Sequence, residues 1–417
     1  MNLLLKNKLY NVLAVSRLLN SLGAHIYNLV FVIYAATQFR STWAISVANI
    51  IMVLPTIFSF YMGIQADKTK KKANALFSAA LVQTVLFFVM SFLLQSTTIG
   101  VFALVCVMNV ITDLLSDYSS GLRLPIMQKN LKEDELMEAY SFFQFISCVS
   151  GIGGQALGVW LLSMTGNNFS IVAMLNACFF LISGILLYVH KKYLTHDVIE
   201  IASSQSIKQQ LGDVIDGIKV VFETNASGNL LTTLSCILLM NALGGALGSI
   251  YTIYFLDRSL FGLTYGQSLL TINAILVVSM IVGSLTPNDY FAKLSLTKMM
   301  ICNAIALTGI GLSHLLGLSE FVGVVSLAFS AYIGGKVNPK IDALLLANTS
   351  PELLARTDTL LTMLFTLSLP VGTILFSTLA TVHIHLTWGM FAFIGLLATI
   401  LAVQSQLATE KSKLVSA

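Results

Sequence analysis

The sequence predicts an all-α membrane protein with twelve transmembrane helices in two six-helix halves, on three observations. Hydrophobic residues fill 56% of the 417 positions and charged residues only 10%, against roughly 25% charged in a soluble globular protein. Apolar runs of the ~20 residues that a bilayer core demands recur twelve times. Lys and Arg fall almost wholly on one side of those runs.

The runs lie at approximately 9–37, 43–66, 74–95, 98–124, 136–164, 168–190, 229–256, 265–287, 294–316, 319–345, 353–381 and 386–406. The first follows Lys6 and Lys8. It is too long for a signal-peptide core and lacks a small-x-small cleavage site, so it is expected to be an uncleaved span. Continuous apolar runs do not supply the alternation of barrel strands, which leaves helices. Several runs exceed ~20 residues, which implies tilt or extension past the membrane surface. The longest interruption, 191–228, contains "SIKQQLGDVIDGIKVVF". There Ile207, Leu211, Ile215, Ile218 and Phe222 recur at helical spacing, which predicts an amphipathic helix in the membrane interface. The expected organisation is an N-terminal half (1–190), this linker (191–228) and a C-terminal half (229–417).

An even number of spans puts both termini on one side. With the termini inside, twenty Lys and Arg residues fall in inner loops and inner helix ends, against only Arg40 and Arg258 in outer loops. Cytoplasmic enrichment of Lys and Arg then predicts a multi-pass protein of the cell (plasma) membrane with both termini cytoplasmic. It also accounts for "DKTKKK" (67–72), a burst of charge between two apolar runs, as an anchor on the cytoplasmic side.

Composition excludes other classes. The net charge of +4 is small and dispersed, so nucleic acid is not an expected partner. The five cysteines lie in apolar runs with no CxxC pair and no metal-ligand spacing to histidine, so they read as small buried hydrophobes. No GxxxxGK[ST] loop is present to hold ATP. No Ser/His/Asp constellation with a supporting context occurs either. The expectation is neither an enzyme nor a cofactor protein, and no metal site.

The two halves carry matching segments. "EDELMEAYSFF" (133–143) leads into span five and "SPELLARTDTLL" (350–361) into span eleven, and each follows a span with a proline near its inner end, Pro125 and Pro339. Such matches point to internal duplication, a signature of transporters.

With that layout, Gly63, Asp67, Lys68, Lys71 and Lys72 in the second inter-span loop make the chain resemble the major facilitator superfamily. Within it, "SGIGGQALGVWLLS" (150–163) and "LSLPVGTIL" (367–375) are similar to spans five and eleven of macrolide-efflux-type drug exporters. The resemblance implies two halves that rock in alternating access, with spans one, four, seven and ten lining the transport cavity. It also implies that Asp67 meets Arg356 and latches the cytoplasmic side. A pure topology anchor is the other reading of that loop. Read from the residues alone, Gly63 allows close helix approach, and Asp67 pairs with Lys71 or caps span three. Three positions depart from the family pattern. Lys70 stands where a glycine is usual, Gly153-Gly154 lacks the expected proline, and Asp117 stands four before Gly121 where an arginine is often found.

Four ionisable residues lie deep in the spans: Arg17, His25, Asp113 and Asp117. Each Asp or Arg at mid-membrane costs roughly 2.5–3.5 kcal/mol, so such groups are kept where they face an interior and pair. Span one places Arg17, Asn20, Ser21, Ala24, His25 and Asn28 on one face. Span four places Asn109, Thr112, Asp113, Ser116 and Ser120 on one face, with Asp117 a turn from Asp113. Arg17 and Asp117 lie about eight and seven residues from the inner boundary, or ~10–12 Å deep, which predicts an Arg17–Asp117 pair. Two carboxylates one turn apart do not both ionise cheaply, so one is expected to hold its proton. Asp113 is the candidate proton carrier, with Asp117 and Arg17 as its coupling partners. The alternative is a static Arg17–Asp117 bridge beside a neutral Asp113.

His25, Asn20, Asn28, Asn109 and Asn241 are candidate substrate-binding residues. Gly63, Asp67, Lys71 and Arg356 are the candidate gate. Lys336 either reaches the cavity or extends to the surface, and Gly244, Gly245 and Gly248 read as close helix packing. The functional expectation is a secondary active transporter exporting small amphipathic or hydrophobic, drug-like compounds by proton antiport. Its expected partners are a small-molecule substrate, protons and membrane lipids, and a monomer is expected. The alternative is an exporter of lipid-linked, peptide or metabolite cargo, or a facilitator without proton coupling.

Overall fold

A computed structural model describes residues 7–195, 230–286, 288–348 and 351–416. The predicted amphipathic linker helix lies outside the described residues, as does the side chain of Arg356. The chain divides into two compact units, Met1–Ala202 and Ser203–Ala417. The first holds α1 (Lys8–Phe39), α2 (Thr42–Lys68), α3 (Lys72–Leu93), α4 (Ile99–Asn130), α5 (Glu133–Met164) and α6 (Phe169–Val189). The second holds α7 (Leu230–Tyr254), α8 (Tyr265–Leu285), α9 (Leu296–Leu315), α10 (Glu320–Asn348), α11 (Pro351–Val382) and α12 (Ile384–Ser416). All twelve are long and apolar enough to cross a membrane, which makes this a multi-pass membrane protein.

Local chemistry sets the helix starts. Asn7, Thr98, Asn168 and Ser295 accept hydrogen bonds from backbone amides of the first turn, and Thr264 with Gln267 forms a capping box. Pro55, Pro125, Pro339 and Pro370 sit inside helices, as transmembrane helices tolerate where neighbours satisfy the freed carbonyls. Within the first unit α1 packs on α5 and α6, α2 on α4, and α3 on α4 and α6. Within the second, α7 packs on α11 and α12, α8 on α10, and α9 on α10 and α12. The pairing scheme repeats six helices on, which is the arrangement that a duplication predicts.

Glycines set these seams, though not all of the expected ones. A Cβ on Gly154 would come within 2.9 Å of the His25 Cβ, and one on Gly158 within 2.9 Å of the Ile26 carbonyl oxygen. The Gly154/Gly158 pair, four residues apart, therefore lets α1 lie directly on α5. Gly245 meets the backbone of Leu369 in the same way. Gly244 and Gly248 face open space, so only Gly245 of that trio is a packing glycine. Gly63 has nothing within 4 Å of its would-be Cβ. The close approach of α2 and α4 is made at Gly121, whose Cβ would lie 2.8 Å from that of Ala66 and 3.8 Å from the Gly63 Cα.

The charge burst at 67–72 has a structural role of its own. Lys72, buried at the start of α3, donates from Nζ to the carbonyls of Ala66 (2.6 Å) and Asp67 (3.1 Å). A cation on the last carbonyls of α2 satisfies orphan acceptors and complements the helix dipole. Lys72, not Lys71, makes this tie. Asp67 and Lys71 are both exposed, no ion pair joins them among the described residues, and α3 has no side-chain cap.

The second unit repeats the device. Lys336 of α10 donates to the carbonyls of Gly283 (2.9 Å) and Thr286 (2.5 Å) at the end of α8. It also forms a 2.9 Å ion pair with Asp289, which further accepts from the Tyr332 hydroxyl and the Ala292 amide. Lys336 is thus buried and paired, not extended to an open surface.

Partial burial pushes the Asp289 carboxyl up. The hydrogen bond and charge of Lys336 and the Ala292 amide outweigh it and hold the group below the usual carboxylate range. A lowered folded-state value means that the tie stabilises above the unfolded value, near pH 4, and is lost as pH falls further. Asp289→Asn is expected to lower the unfolding temperature at pH 7, because it strands a buried lysine. Adding Lys336→Met should recover part of the loss. Thermal unfolding of the two variants checks this, and a double variant less stable than the single one would refute it.

Candidate functional site

Two cavities, one in each unit, are built from residues of the expected faces. In the first unit, α1 contributes Arg17, Asn20, Ser21, Ala24 and His25, and α4 contributes Ser116, Ser120 and Arg123, around about 150 Å³. The five α1 residues are the polar stripe read from the sequence without Asn28. Gly154 and Gly158 hold α1 against α5 along the edge of that stripe at His25 and Ile26.

On α4 the register differs from the expected one. At ~100° per residue, Ser116, Ser120 and Arg123 fall within about 60° of arc, while Asp113 and Asp117 lie about 60° and 100° round from Ser116. Asp117 consequently accepts a hydrogen bond from Ser59 of α2. Arg17 donates to Ser147 of α5 at 3.2 Å and stacks over Phe143 with its guanidinium carbon 4.9 Å from the ring centroid. The expected Arg17–Asp117 pair is not among the ion pairs of the described residues. Asp113 is half-buried, and no hydrogen bond or ion pair reaches it from a described residue. Buried Gln83 of α3 donates to the Thr112 carbonyl and to Ser116 Oγ, both at 2.9 Å, and so braces the α4 wall. Asn28 and Asn109 line neither cavity.

Arg123 is the residue of this cavity that sequence reasoning missed. It counts there as one more inner-end cation, yet it is 3% exposed and donates to Ser16 of α1 at 3.3 Å. Its spacing of three and seven residues from Ser120 and Ser116 was the available signal.

In the second unit, a cavity of about 350 Å³ opens among α7, α8, α9 and α10. Its wall is apolar, with Met240, Leu276 and Met280 prominent, and Asn241, Asn303 and Ser330 supply the polar side chains. Ser330 Oγ donates to Asn303 Oδ1 at 2.7 Å, while Gly244 contributes open space beside Asn241. Asn241 stands where it was expected. Asn303 and Ser330 were not singled out, since one amide and one hydroxyl in long apolar runs carry no periodic signal.

No curated protein matches the chain in sequence. Among solved structures it is similar to the POT family transporter PepTSo, with 12% identity, a TM-score of 0.69 and coverage of 96% of this chain and 98% of that one. It is also similar to the nucleoside transporter NupG, at 15% identity and a TM-score of 0.67, with 96% and 99% covered. A bacterial homologue of the iron transporter ferroportin in an inward-facing state matches at 12% identity and a TM-score of 0.69, with 95% and 98% covered. At such identities these likenesses speak for the fold alone. The family model described as Major Facilitator Superfamily matches residues 13–356, most of the chain, and this transporter belongs to that superfamily.

Proposed function

We propose that the protein exports small amphipathic or hydrophobic compounds across the cell membrane by proton antiport, alternating between states open to either side with both termini cytoplasmic. The observation that carries the substrate class is the cavity of the second unit. Its size, about 350 Å³, falls in the range of small-molecule pockets, and an apolar wall with a few placed polar groups is how such pockets fix orientation. Asp113 supports the coupling reading. It is a carboxyl inside a membrane helix with no described partner, free to take up and release a proton, where a static ion pair would not be. His25 at the edge of the first cavity serves as a lining group.

The test is transport in inverted membrane vesicles with an imposed pH gradient, across a panel of apolar, amphipathic and polar compounds. Accumulation of amphipathic members that collapses with a protonophore is expected. Equilibration without accumulation would instead favour a facilitator, and accumulation that persists without the pH gradient another coupling ion. Asn241→Leu replaces the polar corner of the cavity with an apolar side chain of similar branching. It is expected to raise KM for compounds carrying a hydrogen-bonding group by about fivefold to tenfold, the worth of one neutral hydrogen bond, with less effect on purely apolar ones. Equal KM changes for both kinds of compound would remove Asn241 from the binding wall.

A further inference from the structure

The cavity of the first unit has a charge imbalance. Arg17 and Arg123 both line it, together with Ser21, His25, Ser116 and Ser120, and among the described residues no carboxylate lines it. On α4, Asp117 is held by Ser59, and Asp113, about 20° round from Ser120, is not among the lining residues. Neither guanidinium is spent on its described neighbours. Arg17 has one hydrogen bond, to Ser147, and Arg123 one, to Ser16, while the Nε of each is buried with no partner. Arg123 is itself almost fully buried. Two cations that share a small, water-poor space repel one another, and buried donors left unpaired are costly. An anion between them removes both penalties. The planar guanidinium fork matches carboxylate and phosphate oxygens in particular.

We infer that this cavity is an anion site, taking a carboxylate or phosphate group, with Arg17 and Arg123 as its charged walls and Ser21, Ser116 and Ser120 as neutral donors. At about 150 Å³ it holds a headgroup with a few waters and not a whole drug-sized molecule. The inference rests on the transporter reading for its consequence, that favoured cargo is an anionic amphiphile. The same chemistry is offered by a free solute and by an anionic lipid headgroup.

The test is equilibrium binding of radiolabelled hexyl phosphate to the purified full-length protein in phosphatidylcholine nanodiscs. Saturable binding is expected, displaced by inorganic phosphate and by hexanoate but not by hexyltrimethylammonium. Arg17→Gln and Arg123→Gln are each expected to weaken it by at least about tenfold, the loss of a charged hydrogen-bond partner. Arg123→Lys, which keeps the charge without the fork, should fall between. If Arg123→Gln does not fold, Arg17→Gln and Arg123→Lys decide. Repeating the measurement in phosphatidylglycerol nanodiscs separates the sources. Retained binding assigns the site to a soluble anion, and lost binding assigns it to a lipid headgroup. Binding that is no stronger for hexyl phosphate than for hexyltrimethylammonium, or is unchanged in both Arg17→Gln and Arg123→Lys, overturns the proposal. No gradient is applied, so anion binding without proton-driven transport removes the coupling reading alone. Proton-driven transport without anion binding removes this inference alone.

Discussion

Asp113→Asn is expected to abolish uphill transport while leaving solute binding in place. The substitution keeps size and hydrogen-bonding shape but removes the only group on the α4 stripe that is both titratable and without a described partner. Asp117 is already engaged, taking a hydrogen bond from Ser59, and Arg17 is turned to Ser147 and Phe143. Coupling is therefore proposed to run through one carboxylate. One pH unit carries about 1.4 kcal/mol per proton, enough for about tenfold accumulation of a solute exchanged one for one. In inverted vesicles with such a gradient the wild-type ratio should approach that value. The Asp113→Asn ratio should fall to about one, with counterflow exchange of labelled for unlabelled solute intact. Asp117→Asn should cost less, because an amide still accepts from Ser59. An undiminished gradient in Asp113→Asn would falsify the assignment. A collapse confined to Asp117→Asn would move the coupling site one turn along α4.

The fold was legible because a bilayer makes it so. Twenty-residue apolar stretches and one-sided lysines are signals that no tertiary context overrides, and the twelve helices stand within a few residues of the runs except at two C-terminal ends, where α4 continues to Asn130 and α12 to Ser416. The α1 stripe was equally legible. Arg17, Asn20, Ser21, Ala24, His25 and Asn28 share one face, and the cavity takes all but Asn28. Pairings were harder to read. Arg17 and Asp117 match in depth, but depth fixes only one coordinate. The rotation of α4 is set by Gly121 against Ala66 and by Gln83 against Thr112 and Ser116, contacts that no single-helix pattern encodes. Arg123 was hidden for a related reason. A cation near a helix end reads as a topology signal until the packing shows that it points inward. Lys72 and Lys336 show the same ambiguity resolved the same way, since both cap carbonyls of a neighbouring helix and neither reaches open water.

Gly372→Val is expected to have the largest effect on stability of any single substitution considered. The second unit uses glycines in reciprocal pairs. On α7 and α11, the missing Cβ of Gly245 is taken up by the backbone of Leu369, three before Gly372, and that of Gly372 by the backbone of Ala242, three before Gly245. On α8 and α10, Gly283 meets Tyr332 and Gly335 meets Met280, again each three before the partner glycine. A Cβ on Gly372 would overlap the Ala242 carbonyl oxygen and lie 2.8 Å from the Ala242 Cα. Main-chain atoms cannot rotate aside as a flexible side chain does, so relief requires the helices to separate. Separation would also undo the 2.8 Å hydrogen bond from Thr373 Oγ1 to the Gly245 carbonyl. Overpacking typically costs 1–3 kcal/mol, and an obstacle made of backbone places this site at about 3 kcal/mol or above. Gly248→Ala is the matched control. Its Cβ would meet nothing within 4 Å, and alanine gains about 0.5–1 kcal/mol over glycine within a helix, so that variant should be neutral or slightly more stable. Folded yield after detergent extraction, monodispersity on size exclusion and unfolding temperature compare the two. Equal behaviour of Gly372→Val and Gly248→Ala would mean that the α7–α11 seam has room to open, and close glycine packing would lose its place as the constraint that holds the second unit together.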